Sequence, residues 1–387
     1  MVAAPTGFTA KLIGGRTIHA ICQSHVAPEI AEQPNTAKRM KRSDMLKLVI
    51  IDEISMCSSW LLDRLESKLS TIRKNRGPFG GYVVVVFGDL FQLPPVKAPW
   101  VFESKWWKPH FKYAELSSNH RQQEDPVFAE MLQRWRVGVI TAEDHEYLKS
   151  RLLEQKPREP YPMRVANAYL RVPTNRQSMI LAHANSTVNL FNNQILKTKF
   201  DGSITKHFTL TSTYQHTKSG EVLLGEPSQS EERWLALNSK VMVTSNLLGG
   251  LMNGETGIVV GICEDGSKLE HIQLALEEGG VVQVNPVTRT TFCKDKKTRT
   301  TTKHLPLAPA YAVTYHKSQG QTLDKVFLHL HKEMDASMLF VGASRVRRRE
   351  DLYITNNEYT RLTIKVDVKV KEEYNRLRKS IGLGPIL

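Results

Sequence analysis

The chain contains 387 residues, of which 41% are hydrophobic, 24% charged and 8% aromatic. These proportions are ordinary for a globular protein, so they exclude a disordered tail and a collagen-like repeat. At roughly 100–200 residues per domain, the length suggests about two or three domains. Lys and Arg number 53 against 39 acidic residues, a formal net charge of +14, which favours a polyanionic partner, first of all nucleic acid.

The four cysteines, Cys22, Cys57, Cys263 and Cys293, stand far apart, without a CxxC pair or a zinc-finger spacing. They indicate neither a disulfide framework nor a structural zinc site, and they predict a reducing compartment. No apolar run reaches the roughly 18–20 residues of a membrane span, and Pro5 interrupts the segment in which a signal peptide needs apolar residues. We expect a soluble, intracellular protein.

Three short apolar runs in the first quarter of the chain, at 1–4, 48–51 and 82–87, each end in polar residues. They are too short for helices, and their Val and Ile content is typical of strands in a parallel sheet covered on both faces. Between the second and third runs, apolar residues recur at helical spacing over 59–72, which predicts the crossover helix of an α/β fold.

In the middle of the chain, a helical pattern gives way to polar stretches and β-branched runs. Residues 125–153 have a helical pattern, whereas the polar stretch 200–232 predicts a loop or a mobile hairpin. A second polar stretch, 288–303, is basic and rich in Thr. Between these two stretches, β-branched runs broken by glycines over 240–262 and continued at 281–287 predict a small inserted β-barrel.

Apolar runs punctuated by polar motifs return at 307–330 and 339–354, as if a second α/β domain resumed after the insertion. Near the C-terminus, apolar and charged residues alternate over 364–371, which predicts a half-buried strand. Residues 372–381 then have the pattern of a terminal helix.

An acidic pair, Asp52 and Glu53, directly follows the second apolar run, in the form of a Walker B strand. Phosphoryl transfer needs a carboxylate that holds Mg²⁺ through water, and many ATPases add a neighbouring carboxylate that activates the attacking water. Asp52 and Glu53 fit these two roles. Taken alone, the same segment is equally typical of a strand that ends in solvated acids.

Eight residues from Gly88 to Pro95, with the sequence GDLFQLPP, follow the third apolar run. They bring an acid, Asp89, and an amide, Gln92, to the same predicted sheet edge as the acidic pair, because ligands of open parallel sheets bind beyond the carboxyl ends of the strands. There Gln92 is placed to orient a γ-phosphate or a water. A proline-terminated turn would explain the prolines of this octet but not its other residues.

Together these motifs resemble those of superfamily-one DNA helicases of the Pif-one (petite integration frequency) family, in the RecD-like branch. Segment 53–81, which opens with EISM and closes with PFGG, resembles a signature that this family carries between its second and third motifs. Further motifs follow in the family's order: APTG at 4–7 and GGRTIH at 14–19 resemble motif Ia and the segment after it, 116–122 resembles motif IV, 310–323 motif V and 340–346 motif VI.

The resemblance implies a site for ATP and Mg²⁺. In it Asp52 would hold Mg²⁺ through water, Glu53 would activate water and Gln92 would sense the γ-phosphate. Arg121 would reach the γ-phosphate, and Arg345 would be the arginine finger, a role for which the planar guanidinium fork suits better than a lysine. Further ATP contacts are implied for Asp89, Gln319 and Gly320.

The resemblance also implies contacts to the backbone of single-stranded DNA. Backbone amides, hydroxyls, imidazoles and a lysine bind phosphates without reading bases, as sequence-independent translocation requires. The residues that match the DNA-contacting motifs are Pro5, Thr6, Gly7, Thr17, His19, His316, Lys317 and Ser318.

The implied fold class is α/β, with two RecA-like parallel-sheet domains, the first truncated at its N-terminus, and an inserted small SH3-like β-barrel. The expected boundaries are 1–117 for domain 1A, 118–238 with 304–387 for domain 2A, including a polar insertion near 200–232, and 239–303 for the barrel. The implied function is an ATP-dependent 5′ to 3′ DNA helicase of DNA repair, recombination and telomere or genome maintenance. Its partners would be single-stranded and forked or structured DNA, without a membrane, and we expect a monomer in the nucleus or the mitochondrion.

One motif of such helicases is absent from the sequence. No P-loop of the form GxxxxGKS or GxxxxGKT occurs, nor any Gly-Lys dipeptide. Because Met1 falls where the family's motif Ia strand begins, we expect the P-loop unit upstream of this chain, and an exposed apolar sheet edge in its absence. The alternative is a catalytically inactive, single-stranded-DNA-binding helicase remnant of mobile-element origin.

Overall fold

The computed structural model describes residues 1–23, 46–154, 158–175, 177–200, 203, 205–216, 222–224, 228–247, 250–265, 268–277, 279–292, 298–331, 334–356 and 358–386. Side chains are described outside 204–233, 265–268 and 289–300. Every helix within these ranges falls short of the length and apolar character that crossing a membrane requires.

Helices and strands alternate at the start of the chain, and strands dominate its middle. The helices α1 to α11 are Gly7–Leu12, Ile18–Gln23, Ser59–Arg73, Trp107–His110, Pro126–Arg136, Ala142–Ser150, Tyr161–Arg171, Asn185–Lys199, Tyr315–Ser318, Ala336–Ala343 and Val368–Lys379. The strands β1 to β18 are Val2–Ala4, Arg16–Thr17, Leu48–Ile51, Val83–Val86, Ser178–Ala182, Thr205–His216, Val222–Leu224, Ser228–Leu235, Lys240–Val243, Thr256–Asp265, Lys268–Leu276, Val281–Val284, Val287–Phe292, Thr298–His304, Leu307–Pro309, Ala312–Thr314, Lys325–Leu328 and Leu352–Ile354.

The chain folds into two compact units. Unit 1 comprises Met1–Leu152, Tyr315–Ile354 and Glu358–Leu387, and unit 2 comprises Leu153–Thr314 and Thr355–Asn357. All the candidate site residues predicted from the sequence lie in unit 1. The domain boundaries expected from the family resemblance stay a prediction.

The first sheet of unit 1 has the strand order β2-β1-β3-β4, and all its neighbouring strands are parallel. Strands β1, β3 and β4 coincide with the three apolar runs, which confirms the predicted parallel sheet. Helix α3 begins after Ser58, whose hydroxyl accepts a hydrogen bond from the backbone N–H of Leu61. As predicted, it connects β3 to β4, and its leucines, Leu61, Leu62, Leu65 and Leu69, are buried in the core of this unit.

Strand β4 is the last strand of this sheet among the described residues. Val83, Val85 and Phe87 expose 62%, 37% and 45% of their surfaces. Among the described residues, β4 thus has an unpaired edge and an exposed apolar face, and the loss of a neighbouring strand stays a prediction. An unpaired strand edge of this kind is a template for pairing with a further strand.

Strands β17 and β18 form a second parallel pair in unit 1. Helix α10, which lies between them in sequence, begins after Asp335, whose carboxylate accepts a hydrogen bond from the backbone N–H of Met338. The helix is almost entirely apolar and buried, and it ends at the cap residue Ser344. This ending places Arg345 directly after a buried helix.

The strand predicted over 364–371 is wrong. Residues 361–367 form no regular secondary structure, and helix α11 already begins at Val368. The side chain of Asp367 caps this helix by accepting a hydrogen bond from the N–H of Lys369. The terminal helix itself is confirmed, and it buries Val370, Tyr374 and Leu377 in the core of unit 1.

Helix α11 contacts the octet 88–95, which follows β4, through a cluster of aromatic and charged side chains. The ring of Tyr374 stacks on Phe91 with centroids 4.7 Å apart. Its hydroxyl donates to the Oδ1 of Asp89 at 2.8 Å and accepts from the backbone N–H of Leu90 at 3.0 Å. Arg136 of α5 completes the cluster with two hydrogen bonds to the same carboxylate, at 2.6 and 2.8 Å.

We expect Tyr374→Phe to lower the free energy of unfolding by about 1–2 kcal/mol, because the buried N–H of Leu90 loses its acceptor. The ring stack on Phe91 is retained in this variant, so the loss reports the hydroxyl. The midpoint of urea unfolding measures it. Tyr113→Phe is the matched control, since that hydroxyl makes an exposed hydrogen bond to Glu115, and equal effects of the two substitutions would contradict the prediction.

Unit 2 contains a parallel pair of strands, β5 and β16, accompanied by helices α7 and α8. It also contains a five-stranded antiparallel sheet with the order β12-β11-β10-β9-β15. The core of that sheet consists of residues such as Val241, Val259, Ile272 and Leu274. The β character predicted over 240–262 and 281–287 is thus confirmed, and its closure into an SH3-like barrel stays a prediction.

The polar stretch 200–232, predicted as a loop or a mobile hairpin, and the basic stretch 288–303, for which the sequence predicts no element, both contain strands. Where they are described, they form strands β6, β7, β8, β13 and β14 of one antiparallel sheet. Strand β6 pairs with β14, which lies nearly a hundred residues later in the chain. Long-range backbone pairing of this kind forms strands from polar sequences that lack a local apolar alternation.

Candidate functional site

The predicted site begins at the carboxyl end of β3. The backbone of Glu53 is left-handed, with φ at 53°, and its N–H donates to the Oδ1 of Asp52 at 2.8 Å. The next residue, Ile54, donates its N–H to the carbonyl of Phe87 at 2.9 Å. Gly88 is required beside it, because a Cβ at that position would lie 2.8 Å from the nitrogen of Ile54. The chain after β4 is therefore held close to the acidic pair.

Gln319 is hydrogen-bonded to Glu53. Its Nε2 donates to the Oε2 of Glu53 at 2.8 Å and contacts the hydroxyl of Ser55 at 3.2 Å. Gln319 is only 2% exposed, and its Oε1 is buried with no hydrogen-bond partner in the described part of the chain. The structure thus brings together two residues, 266 positions apart, that the sequence assigned to one site.

Gly320 packs close to the same carboxylate. Its φ is +81°, a conformation that suits glycine, and a Cβ there would lie 3.0 Å from the hydroxyl of Thr9 and 3.5 Å from the Oε1 of Glu53. That Oε1 makes no hydrogen bond to any residue described here. One oxygen of Glu53 is therefore fixed and the other is open.

Burial raises the pKa of Glu53, and this effect outweighs the hydrogen bond from Gln319 and the positive charges of Arg345 and Arg121, which lower it. A partly buried carboxylate with a raised pKa beside two arginines is a candidate for proton transfer.

Arg345 is 2% exposed, and its guanidinium is held by neutral oxygens only. It donates to the carbonyl of Val341 at 2.8 Å, the carbonyl of Gln321 at 3.3 Å and the hydroxyl of Ser344 at 2.8 Å. Burial lowers the pKa of Arg345, and the charge of Arg121 lowers it further. A buried cation without a carboxylate partner among the described residues is poised to accept an anion.

Arg121 is the second cation of the site. Its Nε donates to the hydroxyl of Thr322 at 3.1 Å, and its Nη1 donates to the carbonyl of Ser344 at 3.0 Å. Burial lowers the pKa of Arg121, whereas the charge of Glu53 raises it. Two guanidiniums and the partly buried carboxylate of Glu53 therefore act on one another electrostatically, and the charge of Asp52 also acts on Glu53.

Two residues of the GDLFQLPP octet, Asp89 and Gln92, contact residues other than Glu53, Arg121 and Arg345. Asp89 uses its carboxylate for Arg136 and Tyr374, so these contacts give its predicted ATP contact no support. Gln92 lines a cavity of about 120 Å³ together with Trp100 and Lys365, and its buried Oε1 has no partner in the described structure. The roles predicted for both stay predictions.

The residues predicted to contact DNA lie around β1, α1, α2 and α9. Three of their hydroxyls are used in local structure: Thr6 caps α1 through the N–H of Thr9, Thr17 accepts from the N–H of Ala20, and Ser318 donates to the carbonyl of Tyr315. Ser318 is fully buried, so its predicted DNA contact gains no support. His19 and Lys317 are exposed, while Pro5, Gly7 and His316 are partly buried.

Sequence reasoning missed the residues that support the site from outside its motifs. Arg136 and Tyr374 hold Asp89 from 47 and 285 positions away, and neither stands in a recognisable motif. Local spacing carries no signal for such pairs, because only the folded chain brings them together.

The sequence model of one family, the PIF1-like helicases, matches residues 1–146. Two relatives called ATP-dependent DNA helicase PIF1 extend the match over almost the whole chain. The protein of Danio rerio is 30% identical over 97% of this chain, and that of Homo sapiens is 28% identical over 99%.

Solved structures agree with the sequence matches. The crystal structure of Pif1 helicase from Bacteroides in complex with ADP-AlF3 and single-stranded DNA has a TM-score of 0.74 and 26% identity, and the alignment covers 99% of this chain and 88% of that one. Pif1 helicase from Candida albicans also gives a TM-score of 0.74 with 26% identity, over 98% and 88% of the two chains.

The chain is similar to PIF1-like helicases over almost its whole length, in sequence and in fold. The resemblance inferred from the motifs is thereby confirmed, as is the fold class of parallel-sheet α/β domains, which agrees with two RecA-like domains. The chain spans just over half the length of these PIF1 relatives, 57% for Danio rerio and 58% for Homo sapiens.

Proposed function

We propose that the whole protein is an ATP-dependent DNA helicase that moves 5′ to 3′ on single-stranded DNA and unwinds duplexes as a monomer. The names of its PIF1 relatives support the activity. The Bacteroides relative bound to ADP-AlF3 and single-stranded DNA supports both ligands, and another solved relative concerns unwinding at forked duplex DNA. By the same family relation, we assign the protein to DNA repair, recombination and telomere maintenance, in the nucleus or the mitochondrion.

The observation that carries this proposal is the hydrogen bond between Gln319 and Glu53, whose carboxylate also lies within the electrostatic influence of Arg121 and Arg345. An open carboxylate oxygen near two cations that have no carboxylate partner among the described residues suits the hydrolysis of a phosphoanhydride. The carboxylate accepts a proton from water, and the cations bind phosphoryl oxygens.

The acidic pair also fits Mg²⁺. Asp52 is partly exposed, and its Oδ2 makes no hydrogen bond to the described residues, so this hard oxygen is available to a hydrated Mg²⁺ ion. When bound, Mg²⁺ and ATP supply the charge-neutralised phosphoryl group on which hydrolysis depends. Asp52 would hold the hydrated ion, and Glu53 would take the proton of the attacking water at Oε1.

Arg121 and Arg345 stabilise the negative charge that develops on the phosphoryl oxygens during transfer. Their burial strengthens this effect, because charges interact more strongly where water is excluded. Both guanidiniums are already oriented by hydrogen bonds to neutral oxygens, so little reorganisation is needed when an anion arrives. Gln92 would sense the γ-phosphate, in keeping with its family motif.

The loop that binds the phosphates of ATP, the P-loop, would follow a strand that pairs with β4. The exposed apolar side chains of Val83 and Val85 along that strand support an additional neighbour in the whole protein. The alternative, a non-catalytic DNA-binding remnant, predicts that such a neighbour carries no phosphate-binding loop.

ATP hydrolysis by the whole protein, with and without single-stranded DNA, tests the proposal. We expect turnover that DNA stimulates and unwinding of a duplex with a 5′ single-stranded tail. Tight binding of single-stranded DNA without any turnover would instead support the remnant.

For the DNA side, we expect Lys317→Ala to weaken binding of single-stranded DNA and to reduce the salt slope of log K by about 0.7, the value for one phosphate contact on a single strand. Lys317 is exposed beside the site residues at 318–320. Fluorescence anisotropy at several salt concentrations measures the slope. Lys108→Ala, at an exposed lysine of α4, is the control, and an unchanged slope for Lys317→Ala would reject the contact.

A further inference from the structure

Gln122 follows Arg121 in the chain and has no role in the site described above. It is 3% exposed, and its side-chain nitrogen donates to two backbone carbonyls, that of Val346 at 2.6 Å and that of Ser344 at 3.3 Å. These carbonyls lie on either side of Arg345. One side-chain amide is therefore hydrogen-bonded to the backbone both before and after this arginine.

The orientation of this amide is fixed by Asn119. The Oε1 of Gln122 accepts a hydrogen bond from the Nδ2 of Asn119 at 2.9 Å. The Oδ1 of Asn119 in turn accepts the backbone N–H groups of Arg121 at 3.1 Å and of Gln122 at 3.3 Å. With its oxygen satisfied in this way, Gln122 presents both of its N–H groups to the segment that contains Arg345.

The segment needs such donors because it follows the end of a helix. Helix α10 ends at the cap residue Ser344, and the carbonyls of a last helical turn lack partners within the helix. Arg345 itself is tied to this turn through Val341 and the hydroxyl of Ser344. A shift of this backbone would therefore move the buried guanidinium as well.

We propose that Gln122 is a positioning residue for Arg345: its amide clamps the carbonyls on both sides and so fixes where the guanidinium lies. The expected effect of the clamp on ATP turnover rests on the proposed function. The clamp itself rests only on the hydrogen bonds of Gln122. Gln122 touches no reacting group, and it acts only through the backbone of 344–346.

The first experiment observes Arg345 directly in the chain without nucleotide. The ¹H–¹⁵N signal of its Nε–H group, assigned by its disappearance in Arg345→Lys, is compared in two variants. Gln122→Met keeps the length of the side chain and removes its donors, and Gln122→Glu sets oxygens against the two carbonyls. We expect both to shift or broaden the signal, and an unmoved signal in the folded variants overturns the clamp.

The matched control is Gln123→Met, which changes the neighbouring glutamine, whose contact with His120 is exposed. It should leave the Arg345 signal in place.

A measurement on the unsubstituted chain tests the clamp in case neither Gln122 variant folds. The side-chain NH₂ protons of Gln122 should exchange with D₂O at least about tenfold more slowly than those of Gln123, because buried hydrogen-bonded groups must open to exchange, and equal rates overturn the clamp.

The second experiment measures ATP turnover in the whole protein. A misplaced catalytic group costs up to about a hundredfold in rate, so we expect Gln122→Met to lower kcat about 10- to 100-fold and to change KM little. In an Arg345→Lys background the same substitution should change kcat less than about twofold, since the two residues act as one unit. Full additivity would overturn the clamp. A shifted Arg345 signal with undiminished turnover would uphold the clamp and reject the proposed role of Arg345.

Discussion

Glu53→Gln in the whole protein should abolish ATP turnover while ATP binding is retained. A glutamine keeps the size of the side chain and cannot take the proton of the attacking water, and loss of a general base costs roughly 10²–10⁴-fold in rate. We therefore expect kcat to fall by about a thousandfold. Steady-state hydrolysis measures the fall, and the affinity for a fluorescent ATP analogue verifies that binding is intact.

Glu103→Gln is the matched control for this result, because Glu103 is an acid of the same length that pairs with Lys369 at the surface. Its turnover should stay within about twofold of the unsubstituted protein, as is usual for surface changes. Near-normal turnover of Glu53→Gln would reject the general-base assignment. Equal loss in both variants would indicate a general effect on folding.

The interaction of Gln319 with Glu53 shows how far the sequence could lead. Both residues lie in motifs, and the motif order alone placed them in one site. The sequence could not indicate which atoms meet, that Gln319 donates to one oxygen of Glu53, or that the other oxygen stays open. Those details depend on the left-handed backbone at Glu53 and on the close packing of Gly320.

Asp89 shows which contacts motif reasoning leaves out. Its position after β4 predicted a ligand contact, yet its carboxylate is taken by Arg136 and Tyr374. An acid and an amide that follow a strand in sequence do not reveal their long-range partners. Buried charges need such partners, because an unpaired carboxylate in the core is costly.

The failed strand at 364–371 has a related cause. Alternation of apolar and charged residues is the signal of a half-buried strand, but Asp367 is also a good helix cap, and its carboxylate starts α11 one residue later. Once the helix begins, Val370, Tyr374 and Leu377 follow the helical period and reach the core. A capping residue inside an alternating run therefore favours a helix start over a continued strand.

Arg345→Lys should lower turnover by about a thousandfold or more, within the range found for removal of arginine fingers. A lysine keeps the positive charge and loses the planar fork. It cannot replace the three hydrogen bonds to Val341, Gln321 and Ser344 while also reaching a phosphoryl oxygen. Stopped-flow measurement of phosphate release, at saturating ATP and single-stranded DNA, determines the change.

Arg348→Lys provides the comparison, because that arginine is half exposed and its pairing with Glu124 lies at the surface. Exposed ion pairs contribute about 0–1 kcal/mol, so this variant should hydrolyse ATP at a nearly normal rate. Retained turnover in Arg345→Lys would mean that only the charge at this position matters. Arg121 would then be the guanidinium whose geometry decides the rate, since it is the other cation that acts on Glu53.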